Sequence, residues 1–153
     1  MSERLEIVFA PLSHPLEAAA AVLAGEDMAL GTFATALDSR GGGALMRAAT
    51  AAAFKGKART AIELLGHAGV PAARLLLAGA GRPADAKDSD YIVLGGYVFG
   101  QLAQRKTSAA SIVAELAGSD GPAAAELAAD MALGARLRSY KFAKYQTKSK
   151  ADK

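Results

Sequence analysis

Two glycine-containing segments carry the residue types that bind phosphate. The run Leu75-Leu76-Leu77-Ala78-Gly79-Ala80-Gly81-Arg82-Pro83-Ala84 satisfies G-x-G-x-x-A directly after a continuous apolar stretch. In a dinucleotide-binding fold such glycines let backbone N–H groups approach a pyrophosphate at a helix N-terminus. Pro83 and the polar stretch before the next helix spoil that geometry, because the helix should begin inside the motif, so a glycine turn leaving a central strand is the preferred reading. The second segment is Phe54-Lys55-Gly56-Lys57. A Walker A loop requires G-x-x-x-x-G-K-[ST]; here Ala58 follows Lys57 and the upstream glycine is missing, so an exposed structural turn is expected.

The other chemistry-bearing residues are scattered. His14 and His67 are isolated on predicted loops, with no neighbouring ligand at metal-binding spacing. Asp85, Asp88 and Asp90 alternate like the start of a calcium loop, but neither the glycine nor the bidentate glutamate follows in register, and they read as acids at a helix start. No serine sits in a G-x-S-x-G elbow. Cysteine is absent, which removes disulfides, thiolate metal sites and a Cys nucleophile, and fits a reducing compartment. On the residues alone no catalytic, cofactor-binding or metal-binding position is assigned.

These segments must be positioned by a fold of modest size. The 153 residues suit one domain, and folding a chain of this length buries roughly 70% of its unfolded surface. The hydrophobic fraction of 52% depends on alanine, and only 6% of residues are aromatic, so small aliphatic side chains at close contacts are expected to form the core. The N-terminus, Met1-Ser2-Glu3-Arg4-Leu5-Glu6, lacks the pattern of a secretory signal, and no apolar run reaches the length of a membrane span, so a soluble, cytoplasmic protein is expected.

Leu5 to Ala10 has the composition of a first strand, and Glu17 to Leu23 reads as a second that is ambiguous with helix. Gly31 to Asp38 and Ala44 to Phe54 look helical, separated by the Gly41-Gly42-Gly43 break. Strands are predicted over Ala58 to Leu65 and Arg74 to Ala78, the latter buried on both faces, with a turn over Gly66 to Pro71. A long helix follows from about Asp88 to Gln104, capped by Asp88 or Ser89, with Ile92, Tyr97 or Phe99, and Leu102 on one side. Its Gly95-Gly96 pair costs roughly 1 kcal/mol per glycine relative to alanine, which predicts a close approach there. A strand around Ile112 and Val113 precedes the last helix, with Asp120 as its cap, Pro122 in its first turn, and Leu133, Leu137 and Tyr140 as a stripe. Alternating strands and helices predict a three-layer α/β/α sandwich around a mixed, mostly parallel sheet.

The end of the chain differs from the rest. Residues 138–153 hold six basic residues against one acid, so the +3 of the whole chain becomes −2 for residues 1–137, and a general nucleic-acid-binding surface is not expected. Tyr140, Phe142 and Tyr145 are spaced through this basic segment as if to anchor a connector. The pattern Gly134-x-x-Leu137-x-Ser139-Tyr140-Lys141-Phe142-x-Lys144-Tyr145-x-Thr147-Lys148 resembles the end of the N-terminal domain of the cytosol (leucyl) aminopeptidases, the M17 metallopeptidase family. The Leu-Leu-Leu-x-Gly-x-Gly run, Phe54-Lys55-Gly56-Lys57 (with Arg59 where the family has a second glycine) and Gly95-Gly96 carry the similarity across most of residues 54–148.

The resemblance implies a domain over 1–140, similar in fold to macro domains, and a basic linker over 141–153 leading to a separate C-terminal catalytic domain. In that domain a two-metal centre of manganese or zinc, with the signature N-T-D-A-E-G-R-L, would release N-terminal residues from peptides, and the assembly would be a hexamer. None of that signature lies between Met1 and Lys153, so the chain alone is expected to be inactive, with its own catalytic domain and other copies as partners and peptides as substrates of the parent only. The rival reading is a stand-alone module binding ADP-ribose or a related nucleotide, with the Gly79 to Gly81 turn touching phosphate.

Overall fold

The computed structural model describes residues 5–11, 15–66, 69, 72–82, 90–104, 109–117 and 121–151, excepting the side chains of 121–122 and 141–151. Its order is β1 (Ala19–Gly25), a 3-10 turn (Glu26–Met28), β2 (Ala29–Leu30), α1 (Thr32–Arg40), α2 (Ala44–Ala51), β3 (Ala61–Leu65), β4 (Arg74–Gly81), α3 (Asp90–Gln104), β5 (Ala110–Ile112) and α4 (Gly121–Ala151).

The ambiguous alanine-rich segment is the central strand of the sheet. On one side β1 runs parallel to β4, from Ala19 opposite Arg74 to Ala24 opposite Gly79. Its other side is shared by β5, parallel over Ala19 to Ala21, and β2, antiparallel at Ala24 and Gly25. The far edge is β3, antiparallel to β4. The sheet is mixed, with its longest ladder parallel.

Alternation along β1 and β4 divides the core in two. Ala20, Val22, Ala24, Leu75 and Leu77 face α1 and α2, together with Leu37, Leu45 and Phe54. Ala21, Leu23, Leu76 and Ala78 face α3 and α4, together with Leu94, Val98, Leu102, Leu127 and Met131. Side chains of a strand alternate between faces, so an apolar run without polar interruption must be covered by helices on both sides. This is the α/β/α sandwich expected from the sequence.

Several local expectations are corrected. Leu5 to Ala10 forms no strand; Val8 and Phe9 are 76% and 66% exposed, and β-propensity alone gives no ladder without a sheet edge to join. On α3 the buried line is Leu94, Val98 and Leu102, spaced four residues apart, whereas Ile92, Tyr97 and Phe99 are half-buried. The stripe Leu133, Leu137 and Tyr140 faces outward, at 47%, 51% and 64% exposure, because α4 turns Leu127, Met131, Gly134 and Ala135 inward. The caps Asp88, Ser89 and Asp120 lie outside the described residues.

The α3–α4 contact explains the glycines of both helices. A Cβ on Gly95 would overlap the Met131 carbonyl, and one on Gly134 would overlap the Ile92 carbonyl. The two backbones therefore touch, and the absent side chains set the helix separation.

Capping across elements fastens the opposite layer. Glycines precede α1 and α2 and supply no side-chain cap. Asp38 of α1 instead accepts the Leu45 and Met46 N–H groups through Oδ1, at 2.8 and 3.2 Å. The Glu115 carboxylate, from beyond β5, accepts the Phe33 N–H at 2.7 Å. Both place negative charge where a helix exposes unpaired donors. Asp38→Ala is expected to cost about 1–2 kcal/mol in urea unfolding, and an unchanged midpoint would show that water replaces this cap without penalty.

Candidate functional site

The two phosphate-like segments meet each other rather than a ligand. β4 does not end at Ala78 but continues through Gly79 and Gly81, so the predicted glycine turn is strand. The Gly79 N–H donates to the Thr60 carbonyl at 2.7 Å and the Gly81 N–H to the Gly56 carbonyl at 2.9 Å. A Cβ on Gly79 would overlap the Lys57 carbonyl, and one on Gly56 (φ +77°) would overlap the Gly25 carbonyl. These glycines admit the Phe54–Thr60 backbone, and with both amides paired internally they cannot cradle a phosphate. Phe54 and Gly56 are buried, which corrects the expectation of a wholly exposed turn; Lys55 and Lys57 remain outside.

His14, His67, Asp85 and Asp88 lie outside the described residues, and Asp90 opens α3. Burial, and secondly the Asp90 carboxylate, pushes the Tyr91 phenol above its ordinary value, and the ring packs against the α3–α4 core. Of the anchoring aromatics, Tyr140 is exposed, and the Phe142 and Tyr145 side chains lie outside the described ones.

A cleft opens at the carboxyl ends of the parallel strands. The chain leaves β1 across the α1–α2 face to reach β4, then returns across the α3 face to β5 on the opposite flank of β1. This reversal makes the end of β1 a topological switch point, where open α/β sheets place their ligands. There a cleft of about 190 Å³ is lined by Gly25, Glu26, Ala29, Arg82, Leu116 and Ala117. Arg82 Nε lies 3.2 Å from Glu26 Oε2. Just beyond β1, Asp27 and Met28 both have φ of 61°, a left-handed conformation that costs a non-glycine residue of order 1–2 kcal/mol.

Glu26 and Arg82 escaped the sequence reading. They are 56 positions apart and follow different strands, so only strand pairing reveals the charged couple. The available signal was the charge immediately after each buried apolar run.

The geometry defines an α/β/α domain organised around a switch-point cleft. The chain belongs to the cytosol aminopeptidase family, whose N-terminal-domain model matches residues 21–149. It is 40% identical over 150 residues to a probable cytosol aminopeptidase of Afipia carboxidovorans, covering 98% of this chain and 29% of that protein. A probable cytosol aminopeptidase of Methylorubrum extorquens is 41% identical over 155 residues, covering 98% and 30%. A mutant of tomato leucine aminopeptidase shares the fold, with a TM-score of 0.63 at 22% identity over 88% of this chain and 29% of that one. The chain thus spans about 30% of the length of these curated relatives. A two-metal peptidase centre needs several carboxylates converging on one point. Among the described residues no three His, Cys, Asp or Glu side chains converge, so this donor set does not fit such a centre.

Proposed function

We propose that the chain is the non-catalytic N-terminal domain of a metal-dependent leucyl aminopeptidase, inactive by itself. The observation that carries this reading is the match of residues 21–149 to the N-terminal-domain model, together with relatives whose remaining 70% or so lies outside the aligned part. In the parent protein a separate C-terminal domain would hold two manganese or zinc ions, which polarise the scissile carbonyl and activate water. This domain would organise the assembly, as part of a hexamer, and residues 141–153 would form the connector to the catalytic half. The helical backbone of α4 up to Ala151 supports a connector of some stiffness. The relatives named above are called cytosol aminopeptidases, which supports a cytoplasmic setting; among the described residues no helix is long and apolar enough to cross a membrane.

The rival nucleotide reading relied on Gly79 and Gly81 as phosphate contacts, and their amides are already paired within the chain. Reading the coding frame beyond Lys153 tests the aminopeptidase proposal. Continuation into a segment bearing N-T-D-A-E-G-R-L is the expected result; a stop codon there would overturn it.

A further inference from the structure

The switch-point cleft has an apolar lining and two opposite charges at its edge. Gly25, Ala29, Leu116 and Ala117 present the apolar part, and Glu26 and Arg82 supply a carboxylate beside a guanidinium. The Arg82 side chain is 59% exposed and that of Glu26 is 25% exposed. An ion pair this open contributes roughly 0–1 kcal/mol, so stabilising the fold is a weak reason for its placement. A weak pair between long side chains is also readily parted by a ligand carrying both complementary charges.

We propose that this cleft binds a free α-amino acid with a small or medium apolar side chain. Glu26 takes the α-ammonium group, Arg82 takes the α-carboxylate, and the side chain lies against Leu116, Ala117 and Ala29. A planar guanidinium suits a carboxylate, and each charged group of a zwitterion replaces the partner that the other side chain gives up. Size agrees with this class. The volume of about 190 Å³ exceeds the roughly 150 Å³ cavity that holds benzene, and falls below the roughly 300–1,000 Å³ of sites for drug-sized ligands, too small for an enclosed dinucleotide. The proposal stands on the cleft and does not depend on the aminopeptidase reading.

The test is a titration of the 153-residue chain with L-leucine, followed by backbone amide NMR shifts. Saturable shifts centred on Gly25, Glu26, Arg82 and Ala117, with a dissociation constant in the millimolar range, are expected. Arg82→Gln and Glu26→Gln should each weaken binding about tenfold or more while leaving the rest of the spectrum dispersed, which separates loss of binding from loss of fold. N-acetyl-leucine, lacking the ammonium group, and leucinamide, lacking the carboxylate, should each bind about tenfold or more weakly as well. No saturable shift at tens of millimolar leucine would overturn the proposal. So would equal binding of N-acetyl-leucine or inorganic phosphate, which would make this a simple anion site, or preferential binding of ADP-ribose to the same amides.

Discussion

Gly134→Ala is expected to destabilise the protein by about 2 kcal/mol or more, although alanine is favoured over glycine in a helix interior by about 1 kcal/mol. The sign is reversed because the new Cβ would overlap the Ile92 carbonyl and lie 2.9 Å from the Gly96 nitrogen. These are backbone atoms of α3, which cannot rotate away as a side chain can, so α3 and α4 must separate. The loss then spreads to Leu94, Val98, Leu127 and Met131, which fill the seam between the helices and the sheet. Gly95→Ala should behave alike, because its Cβ would overlap the Met131 carbonyl. Gly100→Ala is the control. There the nearest atoms are those of the Arg138 guanidinium at 3.5 Å, ordinary contact with the mobile end of a side chain, so helix propensity should prevail and stability should rise by up to about 1 kcal/mol. Urea midpoints of the three variants decide the matter: a Gly134→Ala protein as stable as the parent would mean that the helices are not in backbone contact.

Gly79→Ala is expected to cost about 3 kcal/mol, and its effect should reach beyond the strand that carries it. The added methyl would overlap the Lys57 carbonyl and approach the Thr60 Oγ1 at 2.8 Å. Relieving this displaces the Phe54–Thr60 segment, whose carbonyls accept the Gly79, Gly81 and Asp27 N–H groups. The turn after β1 and the Glu26 side of the cleft are thus tied to the same backbone contact. Gly42→Ala separates strain from overlap: its φ is +65° but nothing lies within 4 Å of the added Cβ, so only the left-handed cost of about 1–2 kcal/mol is expected. Gly79 is not left-handed, so close approach alone acts there, and a loss for Gly79→Ala no larger than that for Gly42→Ala would show that the Lys57 carbonyl gives way at little cost.

Much of the architecture was legible in the chain because its signals are local. Leu75-Leu76-Leu77 is apolar at every position, which requires cover on both faces of a sheet, and the sandwich follows from that requirement. The Gly95-Gly96 pair demanded a close neighbour, and α4 is that neighbour. The family itself was legible from the Gly134 to Lys148 pattern and the Leu-Leu-Leu-x-Gly-x-Gly run, and the N-terminal-domain match agrees.

Other features depend on partners distant in the chain. Alanine by itself favours helix over strand, so Ala19–Gly25 became a strand only through its ladders with β4 and β5. The direction of the Leu133, Leu137 and Tyr140 stripe was decided by where α3 could touch α4 most closely, at Gly134, which turned the larger apolar residues outward. Gly79 and Gly81 satisfied a phosphate-binding spacing, yet a spacing cannot say which atoms approach, and the approaching backbone is residues 56–60 of the same chain. Composition and periodicity by themselves determined an α/β domain with a buried central sheet and a basic end. Only the tertiary structure decided which glycines touch backbone and which charges meet at the switch point, because both depend on strand order and helix separation, and these arise from contacts between residues far apart in sequence.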